Sequence, residues 1–398
     1  MPWREDCVMD KRLAFIADAL SELFTMVELC ARYGISRKTG YKWLGRYAQE
    51  GVAGLEDRSR APHVHGRVTA PEIVAALLAL KAERPSWGPR KLVARLGLLH
   101  PELDWPGHTA AGDILARAGL TEARRTRRRA APSPGPLTPA DRPNQVWAAD
   151  HKGWRRLGNG RRLEPLTITD GMSRFLIGLH ATSGTTAAEA KPLFEQAFEA
   201  YGLPDTLRTD NGSPFASAGV TGLTQLSAWW IRLGIKVERI APGKPQQNGR
   251  HERFHLTLME TMTTPAADAA AQQDRFDRFR AIYNLERPHE ALSQAPPASL
   301  YKRSLRAMPK HLPEPDYPPE AAVRMVRPNG EIKWAGDLVY ISEAITGQPV
   351  AVEENEAGDA IVRYFDVPLG YIDRRTKKLQ RISPVPSNDN PANAEPRS

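Results

Sequence analysis

Apolar positions near the start of the chain recur at the spacing of amphipathic helices. One apolar stripe spans residues 13–23, with a large aliphatic residue at every third or fourth position. Thr25 and Glu28 then have the spacing of a capping box, which predicts a second helix that ends at Gly34. The chain is therefore predicted to open with two short helices that bury one face each.

A third helix is predicted over residues 37–47, with Ser36 as its cap and with Tyr41 and Leu44 facing inward. Together with the helix before it, this forms a helix-turn-helix, in which the second helix enters the major groove of DNA. A plain helical hairpin with a solvated basic face is the alternative. The basic residues on this third helix that are predicted to contact DNA are Arg37, Lys38, Lys42 and Arg46.

Three further helices are predicted over residues 70–84, 89–98 and 108–118. They form a second helical unit, which is either another DNA-binding unit or a structural spacer. An arginine-rich run and then a Pro-rich stretch over 131–143 come next. A linker of this composition between nucleic-acid-binding modules is expected to run along the DNA backbone and contact its phosphates. The arginines of this run that are predicted to contact DNA are Arg124, Arg125 and Arg127.

Beyond residue 144, short apolar runs alternate with helical patterns, which is typical of an α/β domain. A helix that begins near Pro245 carries Phe254, Leu258 and Met262 on its apolar side, and a later helix is predicted over 275–292. Strands are predicted at 146–150, 163–169, 175–179, 206–209 and 235–240, with helices at 185–200 and 227–233.

Three acidic residues lie at the ends of predicted strands or on the polar side of a predicted helix. Asp150 and Asp210 each end a predicted strand, and Glu252 lies off the apolar stripe of its helix. Two strand ends and one helix face would then come together. Because carboxylate oxygens suit hard divalent cations, these three residues predict a metal site of the Mg²⁺ or Mn²⁺ kind.

Four ordered blocks surround these acids, at residues 147–150, 209–212, 242–249 together with Glu252, and 283–292. They resemble the catalytic core of integrase-type transposases, a family that is similar to retroviral integrases. The resemblance implies a ribonuclease H-like fold with a DDE site. Residues 33–43 also resemble the helix-turn-helix segments of transposases, which favours DNA binding by the first unit.

The resemblance implies an insertion-sequence transposase. Such an enzyme binds the terminal inverted repeats of its element, hydrolyses the DNA strand to expose a 3′-hydroxyl, and joins that hydroxyl to target DNA. Two Mg²⁺ or Mn²⁺ ions per active site would be held by Asp150, Asp210 and Glu252, with Asp150 bridging them. The partner would be double-stranded DNA, and cutting two ends together implies a homo-oligomer. Supporting roles fall to His151, Asn211 and Gln247, and further DNA contacts to Lys244, Asn248 and Arg250.

The last part of the chain changes to short strands separated by turns. Strands are predicted at 331–334, 338–341, 350–352, 360–365 and 370–373. They suggest a small all-β barrel, like the C-terminal domains of related transposases. The predicted domains are a helix-turn-helix at 1–60, a second helical DNA-binding unit at 61–130, a linker at 131–143, a catalytic core at 144–305, the β-barrel at 320–382 and a disordered tail at 383–398.

The net charge of +9 and the isoelectric point near 9.6 favour a polyanionic partner. The chain has two cysteines, with no zinc or disulfide pattern, and no apolar run long enough to span a membrane. These features predict a protein of the bacterial cytoplasm, associated with the nucleoid and not with a membrane.

Two other functions compete with transposition. A domesticated transposase could keep the fold and act as a DNA-binding regulator without chemistry, although all three acids are present. A sequence-tolerant nuclease of the ribonuclease H kind is disfavoured by the two N-terminal units. One departure from the family pattern is that 41 residues separate Asp210 from Glu252, somewhat more than in retroviral integrases. The excess falls in the loop 217–225, whose role the sequence leaves open.

Overall fold

The computed structural model describes residues 7–58, 69–121, 137–241, 247, 249–354 and 358–382. It divides into two compact units, Met1–Thr69 and Ala70–Ser398. No helix in these ranges is both long enough and apolar enough to cross a bilayer. The predicted fold class is confirmed: a helical N-terminal region, an α/β core and a small all-β C-terminal part.

The first unit consists of three helices, α1 (Val8–Leu20), α2 (Met26–Arg32) and α3 (Arg37–Glu50). Its core contains Phe15, Leu29 and Trp43. The predicted capping box at Thr25 and the cap at Ser36 are both confirmed. These caps fix where α2 and α3 begin, and so set the helix-turn-helix geometry.

Two predictions for this unit are wrong. Tyr41 does not face inward but is 62% exposed, while Trp43 is buried. Gly40 causes this difference, because its missing side chain lets α3 approach Cys30 and Phe15 closely and so turns Trp43 toward the core. The stripe of residues 13–23 is also interrupted, since α1 ends at Leu20, and both Leu20 and Leu23 are exposed.

The second unit begins with helices that were predicted almost to the residue, α4 (Pro71–Glu83), α5 (Pro89–Leu99) and α6 (His108–Arg117). Leu77, Trp87, Leu92 and Leu115 form their shared core, and Ile282 of the α/β core packs against it. These three helices, the second helical unit, therefore pack against the α/β core within the same compact unit.

The α/β core contains a mixed sheet. Its strands are β1 (Val146–His151), β2 (Arg155–Arg156), β3 (Arg162–Asp170), β4 (Leu176–Thr182), β5 (Thr206–Thr209) and β6 (Lys236–Arg239). The order across the sheet is β4-β3-β1-β5-β6. β1 pairs antiparallel with β3 and parallel with β5, and β5 pairs parallel with β6. The short strand β2 pairs with the first residues of β3 and extends it as a ribbon.

Helices cover both faces of this sheet. The helices on one face are α7 (Ala187–Tyr201) and α8 (Gln225–Arg232), and on the other α9 (Gly249–Leu258) and α10 (Ala269–Leu285). Phe254, Leu258 and Met262 are buried under α9 and the 3-10 turn that follows it, as predicted. The predicted helix 275–292 is misplaced, because Asp268 caps α10 earlier and Pro288 disfavours helical backbone at the residue before it.

The all-β part packs on the core through α8. Its core cluster includes Leu223, Ala228 and Ile231, which come from α8 and the loop before it. Arg381 donates hydrogen bonds to the carbonyl oxygens of Val220, at 2.9 Å, and Gly219, at 2.7 Å. The loop 217–225, which holds the extra residues between Asp210 and Glu252, therefore contacts the C-terminal part and helps to hold it on the core.

The C-terminal strands divide into a five-stranded antiparallel sheet in the order β13-β12-β11-β10-β7 and a separate two-stranded ribbon, β8-β9. The predicted all-β character is confirmed, but among the described residues the strands pair as an open sheet and a ribbon and not as a closed barrel. There are more strands than the pattern predicted, because short exposed strands at the edge carry little apolar alternation. The strands are β7 (Ala322–Met325), β8 (Glu331–Trp334), β9 (Asp337–Tyr340), β10 (Pro349–Glu354), β11 (Ala360–Tyr364), β12 (Val367–Ile372) and β13 (Leu379–Gln380).

Candidate active site

Asp150 is placed by the alternation of side chains along β1. Trp147 and Ala149 belong to the core cluster shared with α7 and α8. Because neighbouring side chains of a strand point to opposite faces, Asp150 lies on the face covered by α9. Its partner across the antiparallel pair is Thr167, which therefore lies beside it on that face.

Asp210 directly follows β5, the parallel neighbour of β1. Its carboxylate accepts the backbone N–H of Gly212 at 3.0 Å. A Cβ atom on Gly212 would lie 3.0 Å from the same carboxylate, so glycine leaves the room that this contact needs. Asn211 donates from Nδ2 to the carbonyl oxygen of Ile240 at 2.7 Å, and this bond ties the Asp210 turn to the end of β6.

Asp210 and Glu252 both lie close enough to Asp150 to affect its ionisation. Burial, and next the carboxylate of Asp210, raise the pKa of Asp150 to about 7, and Glu252 adds to this shift. Glu252 lies on the exposed side of α9, above the buried residues His251 and His255. Carboxylates that repel each other in this way fit a divalent cation, since positive charge between them would remove the repulsion.

Hydroxyl and imidazole groups join the sheet to α9 beneath Glu252. Thr167 Oγ1 lies 2.6 Å from His251 Nε2 and 3.0 Å from His255 Nε2. Thr169 Oγ1 lies 2.9 Å from His251 Nδ1. His255 Nδ1 is in turn 3.8 Å from Asp150 Oδ2. The two histidines are one helical turn apart, so both point at β3, and they hold the Glu252 helix over Asp150.

The predicted supporting residues, and Arg250, which was predicted to contact DNA, pack or form hydrogen bonds in the segments around this site. His151 is packed 5.7 Å from the ring of Phe215 and lies on the opposite side of β1 from Asp150. Burial lowers the pKa of His151. Gln247 Oε1 accepts the backbone N–H of Ala241 at 2.7 Å, and Arg250 Nη1 donates to the carbonyl oxygen of Gly171 at 3.1 Å.

The residues predicted to contact DNA have different surroundings. Arg37, Lys38 and Lys42 are exposed on α3, whereas Arg46 is half-buried with its guanidinium 5.2 Å from the ring centre of Trp43. The predicted contacts that lie outside the described residues are Arg124, Arg125, Arg127, Lys244 and Asn248.

The sequence reasoning missed a basic ribbon next to Asp150. Residues 152–162 include five arginines or lysines and no acid. Trp154 is 53% exposed, and the guanidinium of Arg162 lies 5.8 Å from its ring centre. A cleft of about 630 Å³ separates this ribbon from α9, with Arg155, Arg156 and Met259 in its lining. The density of basic residues so close to Asp150 could have identified this surface from the sequence.

The second helical unit uses its basic residues differently. Arg84 Nη2 lies 2.9 Å from Glu286 Oε2 at the end of α10, and Arg95 Nη2 lies 3.8 Å from the same atom. Arg90 Nη1 is 3.3 Å from Glu290 Oε1. Part of the charge that could bind DNA is therefore engaged by the α/β core.

The fold is that of an integrase-type core preceded by helix-turn-helix units. Two family models described as "Integrase core domain" match residues 140–245 and 233–297. A "Helix-turn-helix domain" matches residues 11–63, and a "Homeodomain-like domain" matches residues 39–108. These matches support DNA binding by the N-terminal part of the chain.

Two similar insertion-element proteins define the family of the chain more specifically. It is 30% identical to the uncharacterized 39.2 kDa protein of insertion element IS476 from Xanthomonas euvesicatoria, over 62% of this chain and 69% of the relative. It is 31% identical to the uncharacterized 31.7 kDa protein of insertion element IS407 from Burkholderia multivorans, over 57% of this chain and 80% of the relative. The chain belongs to the integrase-core family of insertion-element proteins.

Solved structures that the chain matches include retroviral integrases. The catalytic core of HTLV-2 integrase in complex with magnesium is 16% identical, with a TM-score of 0.30 over 40% of this chain and 98% of that one. A simian T-cell lymphotropic virus intasome in complex with a PP2A regulatory subunit is 16% identical, with a TM-score of 0.35 over 74% of this chain and 95% of that one.

Proposed function

We propose that this protein is a DNA transposase that cleaves the ends of an insertion element and joins them to target DNA. The observation that supports the proposal is that Asp150 lies near the end of β1, Asp210 directly follows the neighbouring β5, and Glu252 lies on α9. Burial is the main cause of the raised pKa of Asp150, and the charges of Asp210 and Glu252 add to it, which supports their being near Asp150. The exposed position of Glu252 leaves the site open to a large substrate.

The proposed cofactor is a pair of Mg²⁺ or Mn²⁺ ions, in keeping with the magnesium named for the HTLV-2 integrase core. When bound, such ions activate the attacking oxygen and stabilise the leaving oxygen of an in-line displacement at phosphorus. Asp150, Asp210 and Glu252 are the residues that would hold these ions, since both other acids influence Asp150 electrostatically. The hydrogen bond from Gly212 would keep the Asp210 carboxylate in place.

Double-stranded DNA is the proposed partner. Arg37, Lys38 and Lys42 of α3 would recognise the element end, because this face is exposed and basic. The basic ribbon of residues 152–162 would hold phosphates near Asp150. Both element ends must be cut in one complex, so we propose a homo-oligomer with two-fold symmetry, as the intasome named among the structural neighbours also suggests.

The test uses a labelled fragment of the element's own end with Mg²⁺ or Mn²⁺. The parent protein should nick the fragment at the element boundary and join it to a target plasmid. Asp150→Asn, Asp210→Asn and Glu252→Gln should bind the fragment but leave it intact. The matched control is Glu260→Gln, since Glu260 is an exposed acid just after α9 that ought to be dispensable for cleavage.

The pH profile of metal binding gives an independent measurement. Because a proton on Asp150 competes with the cation and its pKa is about 7, Mn²⁺ affinity should rise as pH increases from 6 to 8. This rise should disappear in Asp150→Asn. Tight DNA binding with no cleavage under either metal would instead identify a regulator that keeps the fold without the chemistry.

A further inference from the structure

The hydrogen bonds of the Thr167 hydroxyl determine which ring nitrogen carries the hydrogen in His251 and in His255. Its Oγ1 lies 2.9 Å from the backbone carbonyl oxygen of Asp150 and also contacts Nε2 of both His251 and His255. A carbonyl oxygen only accepts, so the single proton of the hydroxyl is donated to it. Thr167 must then accept from both rings, and each Nε2 therefore carries a hydrogen.

The remaining nitrogens of the two rings have different partners. Both rings are buried and each donates its Nε2 hydrogen to Thr167, so a neutral imidazole leaves a lone pair on Nδ1. Nδ1 of His251 accepts the hydroxyl of Thr169 at 2.9 Å. Nδ1 of His255 faces the carboxylate of Asp150 instead.

Two acceptors thus face each other across 3.8 Å, from His255 Nδ1 to Asp150 Oδ2. This distance is too long for a hydrogen bond. Two ligands that are each about 2.1 Å from one cation can be up to about 4.2 Å apart, so the gap has the right size for an ion. Ligand atoms of Asp150, His251 and His255 all lie within 4.8 Å of one another, but the threonines already occupy both nitrogens of His251.

We propose that His255 Nδ1 is a nitrogen ligand of the cation held by Asp150. This inference rests on the metal centre of the proposed function and adds an imidazole to a site otherwise made of oxygens. Thr167 would act as a positioning residue, since its hydroxyl accepts from Nε2 of His255 and so holds Nδ1 toward Asp150. A nitrogen ligand favours Mn²⁺ over Mg²⁺, because Mg²⁺ prefers oxygen. The site should therefore discriminate between these two ions.

The experiment loads the full-length protein with Mn²⁺ and records its electron spin echo envelope modulation. An imidazole ligand gives modulation from directly bound ¹⁴N, which should be present in the parent protein and absent from His255→Gln. Glutamine places an amide nitrogen near the position of Nε2, so it keeps the donation to Thr167 and removes only Nδ1. The control is His251→Gln, which should keep the ¹⁴N modulation.

Affinities for the two ions separate ligation from structural damage. His255→Gln should bind Mn²⁺ about tenfold more weakly, a loss on the scale of a disturbed metal site, and should bind Mg²⁺ with a much smaller change. Equal losses for Mn²⁺ and Mg²⁺, with the ¹⁴N modulation retained, would reduce His255 to a packing residue and overturn the inference.

Three further outcomes are decisive. Loss of the modulation in His151→Gln but not in His255→Gln would assign the nitrogen to His151, whose Nε2 is buried and has no hydrogen-bond partner among the described residues. If the parent protein binds no Mn²⁺, or if Asp150→Asn binds it equally well, the proposed metal centre itself fails. Mn²⁺ that binds through Asp150 without ¹⁴N modulation removes only the role of His255.

Discussion

The two helical units before the catalytic core differ in what their basic residues contact. In the first unit, Arg37, Lys38 and Lys42 are exposed, and none of them pairs with an acid in the described part of the chain. In the second helical unit, which consists of α4, α5 and α6, Arg84 and Arg95 both contact Glu286 of the core. Basic residues on a predicted DNA-binding helix are therefore available to DNA only where no acid from another element engages them.

The largest effects are expected from removing the tryptophan at the centre of each unit. Trp43 and Trp87 are both buried, and Trp→Ala substitutions at such sites cost about 3–5 kcal/mol in the free energy of unfolding. Trp43→Ala should unfold the first unit and abolish binding to the element end. Trp87→Ala should lower stability by a similar amount, measured by urea denaturation, but should leave that DNA binding within a few-fold of normal.

Removing the exposed basic residues of α3 comes next. The triple variant Arg37→Ala, Lys38→Ala, Lys42→Ala should bind the element end about 100-fold more weakly at fixed salt, and the slope of log affinity against log salt should fall by about 3. Fluorescence anisotropy over a salt series measures both. The matched triple variant Arg84→Ala, Arg90→Ala, Arg95→Ala should change affinity only slightly. A similar loss in both variants would contradict the comparison.

A smaller effect is expected from the acid that engages the second unit. Glu286→Ala leaves the guanidinium groups of Arg84 and Arg95 without their partner while both are mostly buried. We expect a loss of about 1–3 kcal/mol in the free energy of unfolding. If the same variant bound DNA more tightly, the second unit would be a DNA-binding unit that the core masks in the free protein.

The smallest effect is expected at the outer ion pair. Arg90 and Glu290 lie 3.3 Å apart with side chains that are 58% and 68% exposed. Exposed pairs of this kind contribute little, so Glu290→Gln should change the free energy of unfolding by less than about 0.5 kcal/mol. A large loss at Glu290 and none at Glu286 would show that the docking of the second unit depends on different contacts.

Local patterns predicted the fold and part of the candidate site. Asp150 and Asp210 could be found because the end of a strand is visible in a short stretch of sequence. Glu252 could be found because the apolar residues of its helix define the opposite side. Their roles as catalytic and metal-binding residues remain predictions, as do the domain boundaries.

What the sequence could not predict depends on contacts between distant segments. The position of His255 is set by Thr167, which lies 88 residues earlier in the chain, and only the register of β3 under α9 brings them together. The error at Tyr41 has the same origin. Helical spacing alone leaves open which side of α3 packs inward, and the close approach at Gly40 decides it.

Helix α8 has no free face. Trp229 and Trp230 pack into the core of the α/β sheet, and Ala228 and Ile231 pack into the core of the C-terminal sheet. A chain that lost residues 320–382 would expose the second set to water and would be prone to aggregate. The long loop after Asp210 and the C-terminal sheet therefore depend on each other for burial, and removing either should expose apolar residues of the other.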